Sequence, residues 1–179
     1  MARRRSRKGD GAIMKARDLD FEAMRPINVS SEGLDAGSRA TPFSTFIWAI
    51  ASGDIATAES QITDDVEWGL MPYNKVLKGK NEVIPWLRAG SSSQKEPITI
   101  SNVATKDWGI FEYWNTGTVT EELVKFGTQQ EWPWPGDPKT FIGRKYKVAQ
   151  CFVYHLNEGG KIDFMRQYLD AGSVWAQFK

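Results

Sequence analysis

The hydrophobic pattern of the chain becomes regular at Thr41, and its first part has a helical period. Apolar residues stand at positions i, i+3, i+4 and i+7, which places one stripe along a helix: Phe43, Phe46, Ile47 and Ile50. Thr41-Pro42 supplies an N-cap followed by proline at the first helical position, and Gly53 ends the helix. Asp54 caps a second predicted helix, whose apolar face carries Ile55, Ala58 and Ile62.

A short strand and a third helix come next in the predicted order. Residues 63–65 are typical of a turn, and residues 66–70 have the composition of a strand. The third helix fits residues 81–89, because Asn81 is a good N-cap and Pro85 lies in the first turn, where proline costs at most one backbone hydrogen bond. Three consecutive serines at 91–93 predict a loop.

From residue 98 onward the apolar period changes to that of strands. Residues 98–100 alternate, residues 110–119 are rich in β-formers, and residues 145–156 give the clearest strand. Asn157-Glu158-Gly159-Gly160 has the backbone freedom of a hairpin turn, so residues 161–169 are the predicted partner strand. Three helices followed by four or more mostly antiparallel strands is the order of an α+β domain.

The stretch from 132 to 138 interrupts this pattern with three prolines and two tryptophans. Proline has no backbone donor for a sheet ladder, so Trp132-Pro133-Trp134-Pro135 is not a central strand. The stretch is predicted to be a stiff loop, and it is either a lid at the mouth of a cavity or a packed connection.

The aromatic content is the one unusual feature of the composition. Eight Trp accompany nine Phe and five Tyr in a chain that is otherwise 41% hydrophobic and 25% charged. Aromatic side chains on this scale indicate either an aromatic core or an aromatic-lined pocket. The basic run from Arg3 to Lys8 leaves the rest of the chain slightly acidic, so no clustered basic face for nucleic acid is expected.

Other classes of protein are disfavoured by what the sequence contains. Cys151 stands alone, so no intramolecular disulfide can form, and no apolar stretch reaches the roughly 20 residues of a membrane helix. The N-terminus has no secretory signal, which makes a cytoplasmic location the default expectation. One His and one Cys do not make a His/Cys zinc site, and no phosphate-binding loop occurs, so no cofactor is expected.

Several short stretches occur in an order that matches a known superfamily. Ala51-Ser52-Gly53-Asp54 is followed by an Asp-Asp-Val-Glu-Trp run at 64–68, and Gly-Lys-Asn-Glu-Val stands at 79–83. Phe-Val-Tyr-His-Leu at 152–156 precedes Gly-Lys-Ile at 160–162 and Arg-Gln-Tyr-Leu-Asp at 166–170. Over residues 42–176, these stretches resemble the nuclear transport factor 2-like, or SnoaL-like, superfamily.

The resemblance implies a cone-shaped fold and a domain boundary. A strongly curved mixed or antiparallel sheet and three N-terminal helices would enclose one pocket within residues 41–179. Residues 1–40 would then be a flexible or loosely packed basic extension. The superfamily resemblance also implies a homodimer formed through the outer face of the sheet.

The limonene epoxide hydrolases have the most similar pattern within this superfamily, but their catalytic residues are not reproduced. Their Tyr and Asn fall on Trp68 and Leu70, their Arg and first Asp on Asn115 and Gly117, and their second Asp on Gln167. None of these residues titrates usefully as a general base, so epoxide hydrolysis is disfavoured. The chain also has extra residues between 119 and 141, a region that these enzymes keep short.

Three titratable residues are the candidates for acid/base chemistry. Asp170 lies ten residues beyond Gly160, as the acid/base Asp of SnoaL-type cyclases does, although it could equally be a polar residue that ends the last strand or caps the segment after it. His155 is the only side chain with an ordinary pKa near neutrality, and a satisfied strand histidine is its alternative role. Glu67 would have a raised pKa if buried, but only one of Glu67 and Trp68 can face inward.

The predicted pocket is mostly uncharged, which leads to a functional expectation. Its predicted lining residues are Trp68, Leu70, Met71, Trp86, Tyr113, Asn115, Met165 and Gln167. The leading hypothesis is a cofactor-independent isomerase, cyclase or lyase acting on a bulky, largely apolar aromatic, terpenoid or polyketide-like molecule. The alternatives are a non-catalytic ligand-binding or dimerisation module, and a scaffold or transport adaptor that uses the outer sheet face.

Overall fold

The structure is a computed structural model, and it describes residues 41–105 and 107–178. The chain begins with the helices α1 (Pro42–Ser52) and α2 (Ile55–Ser60), continues with the strands β1 (Ile62–Leu70) and β2 (Lys75–Lys78), and then forms helix α3 (Lys80–Ser93). The strands β3 (Gln94–Ala104), β4 (Trp108–Thr118), β5 (Lys145–Leu156) and β6 (Ile162–Leu169) complete the sheet. Two further helices are α4 (Glu121–Gln129) and α5 (Ala171–Ala176). The predicted extension at 1–40 lies outside the described residues.

One six-stranded mixed sheet organises these elements, in the order β2-β1-β6-β5-β4-β3. Every neighbouring pair is antiparallel except β1 and β6, which run parallel. The register shifts along β1 and twice along β3, and such irregularities bend a strand and increase its twist. The α+β class and the cone-shaped sheet predicted from the sequence are confirmed.

The core lies between the inner face of the sheet and the first helices. Phe43 of α1 is fully buried and stacks on Tyr154 of β5, with ring centroids 4.3 Å apart. The same ring lies 5.6 Å from Phe111 and 5.1 Å from Phe152, so one side chain joins α1 to two strands. The α1 stripe therefore packs on the sheet, as its sequence period predicts. Its caps also match, because Thr41 Oγ1 accepts from Ser44 N and Gly53 adopts a left-handed φ of 82°.

Several predicted boundaries are wrong, and each has a tertiary cause. Ile62 belongs to β1 rather than α2, because its backbone pairs with Ile162 of β6. Residues 63–65 are strand rather than turn, in the stretch where the register with β6 shifts. The serines at 91–93 form the last turn of α3 rather than a loop, and Ser93 Oγ donates to the Thr118 carbonyl. Residues 41–105 and 107–178 form five α-helices where the sequence predicted three, since α4 and α5 were not foreseen.

Candidate functional site

A cavity opens between the inner face of the sheet and the helices that cover it. Its empty volume, counted together with the solvent-open space at its mouth, is about 850 Å³. Side chains from β1, β4, β5 and β6 form its sheet wall, and those from α1 and α3 form a second wall. The segment from α4 to the Trp-Pro-Trp loop and the C-terminal helix α5 supply the rest.

Strand alternation determines which side chains reach this cavity. Along β4, Tyr113 and Asn115 are buried and face inward, while their neighbours Glu112 and Trp114 are less buried. Tyr113 is opposite Gln150 of β5, and Asn115 is opposite Val148. Because side chains of paired positions share one face of a sheet, Tyr113, Asn115 and Gln150 all face the cavity.

A hydrogen-bonded group of neutral side chains forms the polar part of this wall. Tyr113 donates its hydroxyl to Gln150 Oε1 at 2.8 Å, and Gln167 Nε2 donates to the same oxygen at 3.0 Å. Nearby, the hydroxyls of Ser93 and Tyr146 lie 3.0 Å apart. The group fixes the orientation of Gln150, because both lone pairs of its oxygen are used.

Five buried polar atoms of the cavity residues have no hydrogen-bond partner within the described residues. They are the indole nitrogens of Trp68 and Trp134, Nε2 of Gln94, Oδ1 of Asn115 and Oε1 of Gln167. A buried polar group without a partner costs about 1–3 kcal/mol, so proteins retain few of them. Five around one cavity are what a site for a hydrogen-bonding guest molecule would contain, since the guest or water supplies the missing partners.

The wall of the cavity carries no formal charge. Among residues 41–105 and 107–178, no Asp, Glu, Lys, Arg or His lines it. Burial raises the pKa of Tyr73 to about 12, with a smaller contribution from nearby Tyr146. Burial also raises the pKa of Tyr113 and Tyr146, so the phenols of the wall stay protonated and act as donors near neutral pH.

Five of the eight predicted lining residues lie on the cavity wall: Trp68, Trp86, Tyr113, Asn115 and Gln167. Leu70 and Met165 are almost completely buried, but they pack in the core and do not line the cavity. Met71 is exposed, because it begins a short 3₁₀ turn that leaves the sheet after β1.

The three predicted acid/base residues do not meet at the cavity. Asp170 is exposed and caps α5, where its Oδ1 accepts from Ser173 N at 3.2 Å. His155 alternates with inward-facing Tyr154, so it lies on the outer face of the sheet, and its Nδ1 is 2.6 Å from Asp163 Oδ1. Glu67 is also outside, because Trp68 takes the inward position of β1.

The carboxylate of Glu67 forms an ion pair on the outer face of the sheet. Its Oε2 lies 3.6 Å from Lys78 Nζ on the neighbouring strand β2, where the two residues are paired in register. Both side chains are substantially exposed, so this ion pair contributes little to stability. Of the pair Glu67 and Trp68, it is Trp68 that faces inward.

Gly117 of β4 faces inward beside the end of α3. A Cβ at this position would overlap the carbonyl oxygen of Ser93 and the hydroxyl of Tyr146. No side chain fits there unless the end of α3 moves, so the close approach of α3 to β4 depends on this glycine.

Sequence reasoning missed most of the cavity wall. Trp132 and Trp134 line it from the proline-rich loop, Tyr73 from the turn between β1 and β2, and Val174 and Trp175 from α5. The signal for the first two was present in the Trp-Pro-Trp sequence, where a lid was one of the two alternatives. No comparable pattern marks α5, which is only six residues long.

Neither a metal-binding cluster nor a membrane-spanning helix occurs in the part of the chain that the structure describes. No three His, Cys, Asp or Glu side chains there are close enough to hold a metal ion. No helix in the same residues is both long and apolar enough to cross a membrane.

Comparison with known proteins identifies the fold. No protein-family model and no curated protein sequence matches the chain. The structure is similar to an NTF2-like protein from Anabaena variabilis (16% identity, TM-score 0.53, 74% of this chain and 87% of that chain). It is also similar to an LEH-like epoxide hydrolase from M. tuberculosis (14%, 0.55, 76% and 86%). A candidate polyketide cyclase from Pseudomonas putida matches as well (14%, 0.59, 77% and 98%). The fold is thus the NTF2-like cone, as the sequence resemblance predicted.

Proposed function

We propose that the cone cavity binds an uncharged, largely apolar small molecule of the size of an aromatic, terpenoid or polyketide-like compound. The proposal rests on the composition of the cavity wall. Neutral hydrogen-bond donors and acceptors without partners lie there between aromatic rings, and none of the described residues that line it is charged. An ion in such a site would lose its hydration without gaining a counter-charge, whereas a neutral guest with a carbonyl or hydroxyl group would gain partners.

Two glycines provide a direct test of whether this cavity is the binding site. Gly90 lines the cavity and an added Cβ there meets nothing within 4 Å, so Gly90→Leu should fill the cavity without disturbing α3. Gly136 is equally open but does not line the cavity, which makes Gly136→Leu the matched control. The probe is the uncharged fluorophore 6-propionyl-2-(dimethylamino)naphthalene, whose emission shifts to the blue in apolar surroundings.

We expect the wild-type chain to bind the probe and the Gly90→Leu variant to bind it at least about 10-fold more weakly, which corresponds to about 1.4 kcal/mol. The Gly136→Leu variant should retain the wild-type affinity. Equal affinities of all three proteins would place the probe outside the cavity and contradict the proposal.

A second candidate function is catalysis in the same cavity, by an isomerase, cyclase or lyase reaction without a cofactor. The hydrogen-bonded tyrosine and glutamine side chains of the wall favour this function, since neutral donors of this kind stabilise an oxyanion that develops in a transition state. The similarity in fold to a candidate polyketide cyclase is compatible with it, but a shared fold does not fix a reaction. Asp170, His155 and Glu67 stay hypotheses as acid/base residues, and catalysis by them would require a site on the outer surface.

The pH dependence of binding separates these two functions. The cavity tyrosines have pKa values raised by burial, to about 12 for Tyr73, so no cavity group of the described residues changes charge near neutrality. Probe affinity should therefore be constant between about pH 6 and 9. If the protein instead converts a bicyclic ketone or enol, and the rate has a bell-shaped pH profile in this range, an acid and a base titrate during the reaction. That result would favour the enzyme.

The protein is further proposed to form a homodimer through the outer face of its sheet. Val103, Ile110 and Val153 are paired across β3, β4 and β5 on this face, and Trp108 and Tyr168 extend the apolar area. Glu112 and Arg166 flank this strip with opposite charges. A symmetric dimer buries the same patch on both copies, so an apolar strip of this kind is a candidate for its centre.

A further inference from the structure

The segment between β4 and β5 carries one wall of the cavity. It comprises α4, the Trp-Pro-Trp loop and a short 3₁₀ turn at Pro138–Phe141. Two indoles of this segment, Trp132 and Trp134, line the cavity with their ring centroids 5.6 Å apart. Both are only partly buried, so each has surface left for a guest molecule.

The position of both indoles depends on one glycine of α4. A Cβ at Gly127 would lie 2.6 Å from Trp132 and 2.6 Å from Trp134, which no real side chain tolerates. The absence of a side chain therefore lets the loop fold back on its own helix. The Trp132 backbone N–H also donates to the Gly127 carbonyl oxygen at 2.9 Å, which holds the loop in this place.

Trp132 also connects the segment to the rest of the cavity wall. Its ring stacks on Tyr73 with an angle of 4° between the planes and 5.1 Å between centroids. It meets Trp86 of α3 nearly edge-on at 5.2 Å. Lys75 donates to Gln130 Oε1 beside this stack, which joins the same two parts of the chain. The indole is thus held on both sides rather than free to swing.

The two indoles make one end of the cavity aromatic, while the other end is polar. Gln94, Asn115, Gln150 and Gln167 supply the polar part from the sheet, whereas the α4 segment supplies aromatic rings. Within the aromatic part the indole nitrogen of Trp134 is a donor without a partner among the described residues. A guest that satisfies both ends would have a flat ring at one end and a hydrogen-bonding group at the other.

We propose that Trp132 and Trp134 are the specificity-determining residues of the cavity, and that they select a flat, uncharged aromatic ring over a puckered alicyclic one of the same size. The inference rests on the proposed function, because it concerns the same cavity. Its physical basis is that flat rings stack or meet edge-to-face at about 4.5–7 Å, and gain energy beyond the burial of area. A saturated ring of equal size gains only the burial.

A matched pair of ligands tests this selection. 2-Naphthol and decahydro-2-naphthol have the same carbon skeleton and one hydroxyl each, and they differ in flatness and in aromatic character. Binding is measured by isothermal titration calorimetry on the full chain. We expect the wild-type protein to prefer 2-naphthol by about 10-fold, which is the sum of two modest ring contacts.

The variants Trp132→Leu and Trp134→Leu should each lower this preference by about 2- to 10-fold, because each removes one ring contact. The affinity for decahydro-2-naphthol should change by less than about 2-fold. Gly127→Ala keeps both indoles but displaces them, so this positioning variant should lower the preference in the same direction. Trp48→Leu is the control, since Trp48 is half exposed on α1 and does not line the cavity.

The outcomes separate the failure of the inference from that of the proposed function. If the wild-type protein binds both bicyclic alcohols equally, the cavity is a binding site but the indoles do not select flat rings. If it binds neither alcohol, the inference and the proposed function both fail. Should Trp132→Leu not fold, as judged by circular dichroism, Trp134→Leu and Trp132→Phe give the same comparison, and an unchanged preference in both would overturn the inference.

Discussion

The position of Asp170 is better explained by helix capping than by a catalytic role. It stands where the last strand ends, and its side chain accepts from the backbone of Ser173 while the Ser173 hydroxyl donates to the Asp170 carbonyl. This is the arrangement of a helix N-cap, in which a side-chain oxygen satisfies a backbone donor of the first turn. The residue is exposed and does not line the cavity.

Substitution at Asp170 should therefore affect stability and leave ligand binding unchanged. Asp170→Ala removes the cap and should cost about 1 kcal/mol, which is a fall in Tm of about 2–4 °C for a chain of this size. Asp170→Asn retains a capping oxygen and should differ from wild type by less than about 0.5 kcal/mol. Thermal unfolding and titration with the naphthalene probe measure the two effects. A loss of probe affinity in the Asn variant at an unchanged Tm would return Asp170 to the site.

Helix α1 packs directly on the inner face of the sheet. One side of it is fully buried, with Phe43 and Phe46 both at 0% exposure, while Trp48 on the other side is 49% exposed. Phe43 alone contacts aromatic rings on β4 and β5. The helix is too short to be stable by itself in water, so its structure depends on this packing.

Two substitutions within α1 should separate packing from helix propensity. Phe43→Ala should lower the free energy of unfolding by about 3–5 kcal/mol, because a large buried ring is removed from a tightly packed core. Trp48→Ala changes a residue of similar size on the exposed side and should cost less than about 1 kcal/mol. Urea unfolding measures both. Similar losses in the two variants would mean that Trp48 is covered in solution.

Elements with strong local signals were the ones that the sequence predicted well. The α1 stripe with its caps and the β5–β6 hairpin around Gly160, which has a φ of 73°, need no distant contact to be recognised. The prediction for residues 63–65 was wrong because Asp is a turn former locally, while the pairing of Ile62 and of residues 67–70 with β6 on either side carries the strand through them. Helix α4 was missed although its local signals are present, with Thr120 as N-cap and two glutamates in the first turn.

The same division applies to the cavity. Trp68, Tyr113, Asn115 and Gln167 were predictable, because alternation along a strand fixes the face on which a side chain lies. Trp175 was not, since its position depends on how a terminal helix folds back over the sheet. The titratable candidates lie outside the cavity for a related reason, as each has a local partner there.

At the scale of the whole molecule, the outer face of the sheet should determine the oligomeric state. Ile110→Glu places a charge in the middle of the apolar strip, where Ile110 is 47% exposed, and should convert a dimer into a monomer. Trp48→Glu adds the same charge at an equally exposed apolar residue of α1 and should have no effect on mass. Light scattering after gel filtration of the full chain reports the mass. A wild-type protein that is monomeric at about 100 μM would refute the dimer.

The parallel pairing of β1 with β6 has a consequence for how the chain reaches its native state. Ile62 pairs with Ile162, and β6 lies in the interior of the sheet, between β1 and β5. During translation at about 5–20 residues per second, β1 therefore waits roughly 5–20 s for its neighbour. Throughout that interval β1 has one unpaired edge that is open to wrong partners, whereas β5 is followed by β6 almost at once. The nascent chain should need chaperone protection until its last strand inserts, and the sheet closes as a late event of high contact order.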